Sequence, residues 1–262
     1  MLNYVKSELY KTVRRKYFWW LLLICSALGV GVNVLLFFMA HSTDMINGTL
    51  DATFSLAMVG AMAMSVSYVC PLMMTDIVFS EEYKHQTMKN SVSYGFSRSE
   101  IFFGKFIAEF IVSIVALVVI FGAFTASAFL LLGSTDAAVT AEITHVYFVR
   151  LFLMLPLWIW SLALSHTIVF FVRNNTFFAL ASVGVLMILP MVFNNYIVYV
   201  WPEFVAAVSP WLAFTKMTAL TSNNFVIDNF GMLSLEYWSA GLIRAVVVLA
   251  LGVFLFRRKE IK

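Results

Sequence analysis

The sequence SEEYKHQTMKNSVSYGFSRSEIFFGK, from Ser80 to Lys105, is the longest polar stretch in a chain that is otherwise mostly apolar. Apolar runs long enough to cross a bilayer lie on both sides of it. A polar segment between two such runs is what a membrane protein presents to the aqueous phase on one side. This stretch is therefore where we expect the chain to contact soluble partners.

The composition predicts an integral membrane protein. Of the 262 residues, 62% are hydrophobic and 12% are charged, and the mean hydropathy is +0.90. Soluble domains carry roughly 45–50% apolar and about 25% charged residues. Since one crossing takes about 20 apolar residues, the chain has room for six spans in a single membrane domain, residues 1–262. A net charge of only +3 sets nucleic acid aside as a partner.

Apolar runs predict an all-α fold with six transmembrane helices. The predicted spans cover residues 17–39, 52–79, 101–132, 147–172, 176–200 and 237–256. The connection at 201–236 is too apolar for a solvent loop and contains Pro202 and Pro210. We therefore expect short re-entrant helices between spans five and six on the outer side.

The first sixteen residues combine helical spacing with positive charge. The apolar residues that recur at this spacing are Leu2, Val5, Leu9 and Val13, and basic residues occupy the other faces. This pattern predicts a basic helix lying on the membrane surface, or else a plain basic flank that orients the first span. Both alternatives place the amino terminus in the cytoplasm.

The basic residues orient the whole bundle. Six spans put both termini on one side, and of the 17 basic residues only Arg150, Lys216 and Arg244 lie away from that side. Cytoplasmic segments of membrane proteins are enriched in Lys and Arg. The prediction is a multi-pass plasma-membrane protein with both termini and the stretch Ser80–Lys105 in the cytoplasm. The basic residues on that side are Lys6, Lys11, Arg14, Arg15, Lys16, Lys84, Lys89, Arg98, Lys105, Arg173, Arg257, Arg258, Lys259 and Lys262.

The polar stretch carries two helix-start signals. Ser80 is a predicted N-cap, followed by two glutamates that suit the first turn. Gly95 is expected to end or turn the segment, and Ser97 with Glu100 predicts a capping box that opens span three. We expect a short cytoplasmic helix between the two caps, about 15 Å long for some ten residues. A solvated loop is the alternative.

Motifs for catalysis or nucleotide binding do not emerge from the sequence. The four histidines show no HExxH spacing, and no GxSxG motif is present. His166 is expected to pack between helices rather than relay protons. Gly104-Lys105 lacks the spacing of a phosphate loop, because Gly95 is too distant and Phe106 follows the lysine. The chain is not expected to be an enzyme, to hold a metal or to bind ATP itself.

Ionisable residues in the spans are expected to form structural pairs, mostly near the span ends. Arg244 is the deepest, with Glu236, Asp228 or Glu203 as expected partners. Two alternatives to an ATP-driven transporter remain open. A gradient-driven carrier would use Asp76 or Glu109, and a polytopic membrane enzyme would need a buried polar constellation.

Three further segments carry a resemblance to a known family. Glu82-Tyr83-Lys84-His85-Gln86-Thr87 follows span two, and Gly95-Phe96-Ser97-Arg98 precedes Gly104-Lys105 in span three. Val208-Ser209-Pro210 lies before the last span. With the basic amino-terminal helix and six spans, the chain resembles the permease subunits of type-2 ATP-binding-cassette exporters, in particular small bacterial permeases for antimicrobial-peptide export and immunity.

This resemblance implies a half-transporter that pairs with a second permease copy, or a related permease, and with two cytoplasmic ATPases that hold ATP and magnesium. Membrane lipid is a further partner. The substrate implied is amphipathic, a peptide antibiotic, bacteriocin or lipid-like molecule. The ATPase-coupling residues implied are Glu81, Glu82, Tyr83, Lys84, His85, Gln86, Thr87 and Met88. At the start of span three they are Arg98, Lys105 and Glu109, and at an outer gate Pro202, Glu203, Pro210, Trp211 and Arg244.

Overall fold

A computed structural model describes residues 1–42, 50–85, 93–172, 174–222 and 224–258, without the side chains of residues 80–85 and 175. Six helices in these ranges are long and apolar enough to cross a membrane, which confirms the all-α fold class and the number of spans. They are called spans 1 to 6 below. Their bounds are Lys16–Ser42, Ala52–Phe79, Arg98–Leu132, Ala137–Phe171, Thr176–Tyr199 and Phe230–Arg258.

An amino-terminal helix, Leu2–Val13, precedes span 1 and packs mainly on span 3. The expected apolar face is only partly correct, because Leu2 is 76% exposed and Val13 is also exposed. The helix buries the face that fits the surface of span 3. There Gly104 leaves room for the ring of Tyr4, and Lys105 binds Glu8. The buried residues of this helix are Tyr4, Val5, Glu8 and Thr12.

Span 2 is built from several helical segments. Asp51 caps its start by accepting from the backbone N–H groups of Thr53 and Phe54. Its segments are Ala52–Phe54, a π-helical turn Ser55–Val59, Gly60–Ser67 and a helix Cys70–His85.

The helix Cys70–His85 runs past the apolar end of span 2. Ser80 is therefore inside a helix, and the prediction that it caps a new one is wrong. An N-cap needs a non-helical backbone, whereas here the backbone hydrogen-bond ladder simply continues through residues that favour helix. The polar stretch begins as an extension of span 2.

Spans 4 and 6 begin earlier than predicted. Span 4 starts at Ala137 because Asp136 accepts from the backbone N–H groups of Ala138 and Val139. Span 6 starts at Phe230 rather than at residue 237. In both cases polar residues extend a helix beyond its apolar run, and apolar content alone does not reveal such an extension.

Between spans 5 and 6 the chain forms two short helices, Pro202–Val208 and Ala213–Leu220. Span 5 itself contains Asn175–Val183, a π-helical turn Gly184–Ile188 and Leu189–Asn195, followed by a 3₁₀ turn at Ile197–Tyr199. The second short helix packs into the main core through Met217 and Leu220. The hydroxyl of Tyr237 in span 6 also donates to the Lys216 carbonyl.

Spans 1, 2 and 3 meet at a buried amide. Asn33 donates through Nδ2 to the Phe124 carbonyl at 3.0 Å and to Ser127 Oγ at 2.7 Å. Its Oδ1 accepts from the Ser55 hydroxyl at 2.6 Å. Because unsatisfied polar groups are costly in an apolar interior, this set of bonds fixes the mutual register of the three spans.

Candidate functional site

The polar stretch leaves span 2 at a fully buried aromatic ring, that of Phe79. Lys105 Nζ lies 4.9 Å from the centroid of this ring. The imidazole of His166 lies 5.7 Å and the ring of Phe170 5.0 Å from it, both edge-on. The last apolar residue before the polar stretch therefore contacts both span 3 and span 4.

Lys105 in span 3 binds the amino-terminal helix through a buried ion pair. Its Nζ lies 2.8 Å from Glu8 Oε2, with side-chain exposures of 0% and 2%. The other oxygen of Glu8 accepts from Lys11 Nζ at 2.7 Å. Burial raises the pKa of Glu8, but the charges and hydrogen bonds of Lys105 and Lys11 outweigh burial and lower that pKa below its ordinary value.

One turn further along span 3, Glu109 binds two other spans. Its Oε1 lies 3.0 Å from His166 Nδ1 in span 4, and its Oε2 accepts from the Thr75 hydroxyl in span 2 at 3.3 Å. His166 Nε2 lies 3.1 Å from the Phe102 carbonyl oxygen. His166 is therefore bonded to two groups of span 3, the Glu109 carboxyl group and the Phe102 carbonyl. Glu8, Thr75, Lys105, Glu109 and His166, together with Phe79, are called the coupling network below.

The two nitrogens of His166 both face oxygen atoms. With Nε2–H donating to the Phe102 carbonyl, the contact to Glu109 is a hydrogen bond only if a further proton lies on Nδ1 or on the carboxyl group. Glu109 and His166 are both 0% exposed and line neither of the two cavities described below.

The far side of the polar stretch is anchored on span 6. Gly95 has φ +86, the left-handed conformation that glycine adopts without strain, so it turns the chain as expected. Ser97 and Glu100 form the predicted capping box at the start of span 3. Arg98 Nη1 donates to the carbonyl oxygens of Phe256 and Arg257 at 3.2 and 2.8 Å. These bonds occupy carbonyls at the carboxyl end of span 6.

The three residues predicted at the start of span 3 each contact a different element. Arg98, Lys105 and Glu109 bind span 6, the amino-terminal helix and span 4 respectively. Among the expected ATPase-coupling residues, Glu81, Glu82, Tyr83, Lys84 and His85 lie on the helix that extends span 2. Gln86, Thr87 and Met88 lie outside the described residues.

Two of the predicted gate residues share one cavity. Trp211 and Arg244 both line a pocket of about 290 Å³ between spans 4, 5 and 6. Pro202 begins the first connecting helix, Pro210 lies in the 3₁₀ turn Ser209–Trp211, and Glu203 is exposed.

The expected pairing of Arg244 with an acidic residue is wrong within the described part of the chain. Glu236 binds Lys216 Nζ instead, and no salt bridge joins Arg244 to Glu203 or Asp228 there. The reason is the early start of span 6. It places Arg244 midway along the helix, two turns deeper than Glu236, while Lys216 on the second connecting helix reaches the carboxylate directly.

Sequence reasoning missed Glu8 and Thr75 as members of the coupling network. A signal existed for Glu8, which is the one acidic residue in the basic segment from Met1 to Lys16. A lone acid there and a lone lysine inside the apolar part of span 3 are natural partners. Thr75 has no such signal, since threonines also bond within their own helix.

Residues 4–209 of the chain match a family described as ABC-2 family transporter protein. This match covers all but the first two residues of the amino-terminal helix, spans 1 to 5 and the coupling network. No curated protein matches the chain at a significant level.

Proposed function

Because the chain belongs to the ABC-2 family of transporter proteins, the membrane subunits of ATP-driven exporters, we propose that it carries an amphipathic substrate out of the cell or the membrane under the control of a bound ATPase. The family implies partnership with a cytoplasmic ABC ATPase. The single observation that carries the proposal for this chain is the coupling network at the base of the polar stretch.

The coupling network explains how a movement at the polar stretch would reach the spans. Residues Glu81 to Met88 dock on the ATPase, and the helix Cys70–His85 carries their displacement to Phe79. From there Lys105 engages the amino-terminal helix, and Glu109 engages His166 in span 4. Buried, paired polar groups resist separation, so the helices move together rather than slide.

Arg98 supplies the second attachment. The polar stretch is tied to spans 2, 3 and 4 at its start and, through Arg98, to the end of span 6. A docking partner that pushes on the stretch therefore acts on spans 2, 3 and 4 and also on span 6. A path between spans opens only if several of them move.

Both termini and the polar stretch lie in the cytoplasm in this proposal, as the distribution of basic residues favours. The partner ATPase binds ATP and magnesium, and a second copy of this chain or a related permease completes the transporter. The complete unit would then contain two permeases and two ATPases.

An amphipathic substrate is supported by an apolar cavity of about 450 Å³ between spans 1, 2 and 3. Its walls include Cys25, Val32, Met62, Cys70 and Phe121. Methionine and apolar side chains adapt to varied hydrophobic groups. We assign the substrate to peptide antibiotics, bacteriocins or lipid-like molecules, and the outer connection with Pro202, Glu203, Pro210, Trp211 and Arg244 to the exit gate.

Co-expression with the ATPase encoded beside this chain tests the proposal. A complex should be purified through a tag on either subunit, and its ATP turnover should depend on the permease. The variants E82R and K84E should weaken assembly and ATP turnover, whereas E142Q, an exposed change in span 4 away from the network, should alter neither. If both E82R and K84E left assembly and ATP turnover unchanged, these residues would not couple the permease to the ATPase.

The same material separates a gradient-driven carrier from an ATP-driven exporter. Transport that continues without the ATPase and is lost on neutralising Asp76 or Glu109 would favour the carrier. Transport that requires a hydrolysis-competent ATPase would favour the proposed exporter.

A further inference from the structure

The pocket of about 290 Å³ between spans 4, 5 and 6 combines aromatic walls with one arginine. Trp160, Phe193, Trp211 and Phe214 are among the aromatic residues that line it, and Arg244 is the charged residue among its lining. The π-helical turn Gly184–Ile188 of span 5 lies at its edge. Such turns inside helices occur frequently at functional sites.

Arg244 has no counter-charge among the described residues. Its Nη1 atom is buried and has no hydrogen-bond partner, and no described carboxylate lies within salt-bridge distance. The residue lies midway along span 6, with helix on both sides. An unpaired cation at such a position is costly and is retained where it serves binding or transport.

A second unsatisfied polar group lies next to Trp160. The Tyr68 side chain is 1% exposed, and its hydroxyl has no hydrogen-bond partner in the described structure. Its ring stacks on Trp160 with centroids 6.3 Å apart and planes at 18°. Span 2 thus adds a buried O–H group next to Trp160, one of the aromatic walls of the pocket.

The chemistry of these groups defines the missing partner. A guanidinium only donates hydrogen bonds. The matching ligand group is an anion with several acceptor oxygens, such as a phosphate or a carboxylate, which arginine binds through paired N–H groups. The aromatic walls match an apolar chain attached to that anion.

We propose that Arg244 binds the anionic headgroup of an amphipathic molecule whose apolar part lies against Trp160, Phe193 and Trp211. This rests on the proposed function in one respect, because it makes the exit gate, to which Trp211 and Arg244 are assigned, a place that holds the anionic group of the substrate on its way out. The head-and-tail chemistry is the same whether the molecule is a membrane lipid or a single-chain amphiphile.

Binding is measured on the purified permease alone, in a neutral maltoside detergent, by native mass spectrometry and by the rise in Tm on ligand addition. The probes are dodecyl phosphate, phosphatidylglycerol, inorganic phosphate and uncharged dodecanol. At least one of the two anionic amphiphiles should bind and raise Tm, and which of them binds more tightly identifies a single-chain or a lipid source. Inorganic phosphate and dodecanol should neither bind nor raise Tm.

The variant R244Q should bind the anionic amphiphile roughly tenfold more weakly or worse, because a charge-assisted hydrogen bond is lost. R244K should retain part of the affinity, and R258Q, which removes a different arginine at the end of span 6, should bind like the wild type. Should R244Q fail to fold, L212W fills the pocket while leaving the arginine in place and should also abolish binding.

Equal binding by the wild type, R244Q and L212W would overturn the inference, as would equal binding of inorganic phosphate and dodecyl phosphate. Loss of permease dimerisation or ATPase assembly in R244Q, with ligand binding unchanged, would show that a partner chain supplies the counter-charge and would also overturn it. The binding assay contains no ATPase, so its failure leaves the coupling proposal intact. Conversely, a failed ATPase pull-down leaves the binding result intact.

Discussion

Lys105 Nζ lies 2.8 Å from Glu8 Oε2 at a depth where neither side chain reaches solvent appreciably. This pair joins a helix that precedes the membrane domain to the first turns of span 3, four residues before Glu109 makes its own contact with span 4. Two adjacent turns of one span thus hold two different elements through buried charges. The behaviour of this pair and its neighbours provides the following predictions.

Removing one member of the Glu8–Lys105 pair should cost more than removing both. E8Q leaves a buried ammonium with little compensation, and breaking such a pair costs about 3–5 kcal/mol. The double variant E8L/K105M replaces both charges by apolar groups and should recover most of that loss. Thermal unfolding of the wild type, E8L, K105M and E8L/K105M measures the cycle, and E8Q is unfolded beside them in the same detergent. Equal Tm values for E8Q and E8L/K105M would show that the pair is not energetically coupled.

The lowered pKa of Glu8 predicts an acid-sensitive contribution to stability. A group whose folded pKa is depressed stabilises the fold above its unfolded pKa, about 4.3 for glutamate, and loses this contribution as the pH falls through the folded value. The Tm difference between wild type and E8Q should therefore be constant from about pH 7 to pH 5. It should shrink at lower pH. A difference that shrinks already between pH 7 and pH 5 would contradict the assigned shift.

Replacing His166 by leucine should disturb coupling more than assembly. H166L removes the main partner of the buried Glu109 carboxyl group, which costs about 1–3 kcal/mol for an unsatisfied buried group. The ATPase should still bind, but permease-dependent ATP turnover should fall. S182A provides a matched control, since it deletes a buried hydroxyl without a described partner. Equal permease-dependent ATP turnover in H166L and S182A would rule out a coupling role for the network.

Gly241 should tolerate no side chain. A Cβ atom there would lie 2.5 Å from the backbone carbon and oxygen of Pro156, which cannot move aside as a flexible side chain can. G241A should therefore separate spans 4 and 6 and destabilise the protein by about 1–3 kcal/mol. G122A, where nothing lies within 4 Å of the added atom, should leave Tm nearly unchanged. Equal Tm values for the two variants would contradict this packing.

The sequence was sufficient to predict the spans because apolar length is a strong signal. It was weaker at span ends, where polar residues extend helices through caps such as Asp136. Ser80 shows the same limit. A residue that favours N-caps reads as a helix start, yet only the neighbouring backbone decides whether a helix is already under way.

Which residues belong to the site was easier to predict from the sequence than which residues pair with each other. Lys105, Glu109 and His166 stand out because ionisable groups in apolar spans are rare. Their pairing depends on how spans 2, 3 and 4 pack, and no spacing within one helix encodes that. Arg244 illustrates the consequence, since its expected acidic partner Glu236 lies on the same span but binds Lys216 instead.

Cysteine cross-linking within the co-expressed complex shows whether the ATPase docks on the polar stretch after span 2. The two native cysteines, Cys25 and Cys70, are replaced by alanine, and a single cysteine is placed at position 82 or, as the control, at position 142. A short bis-maleimide should join the permease to the ATPase from position 82 and not from position 142. Cross-linking from 142 alone, or from neither position in an intact complex, would contradict the account.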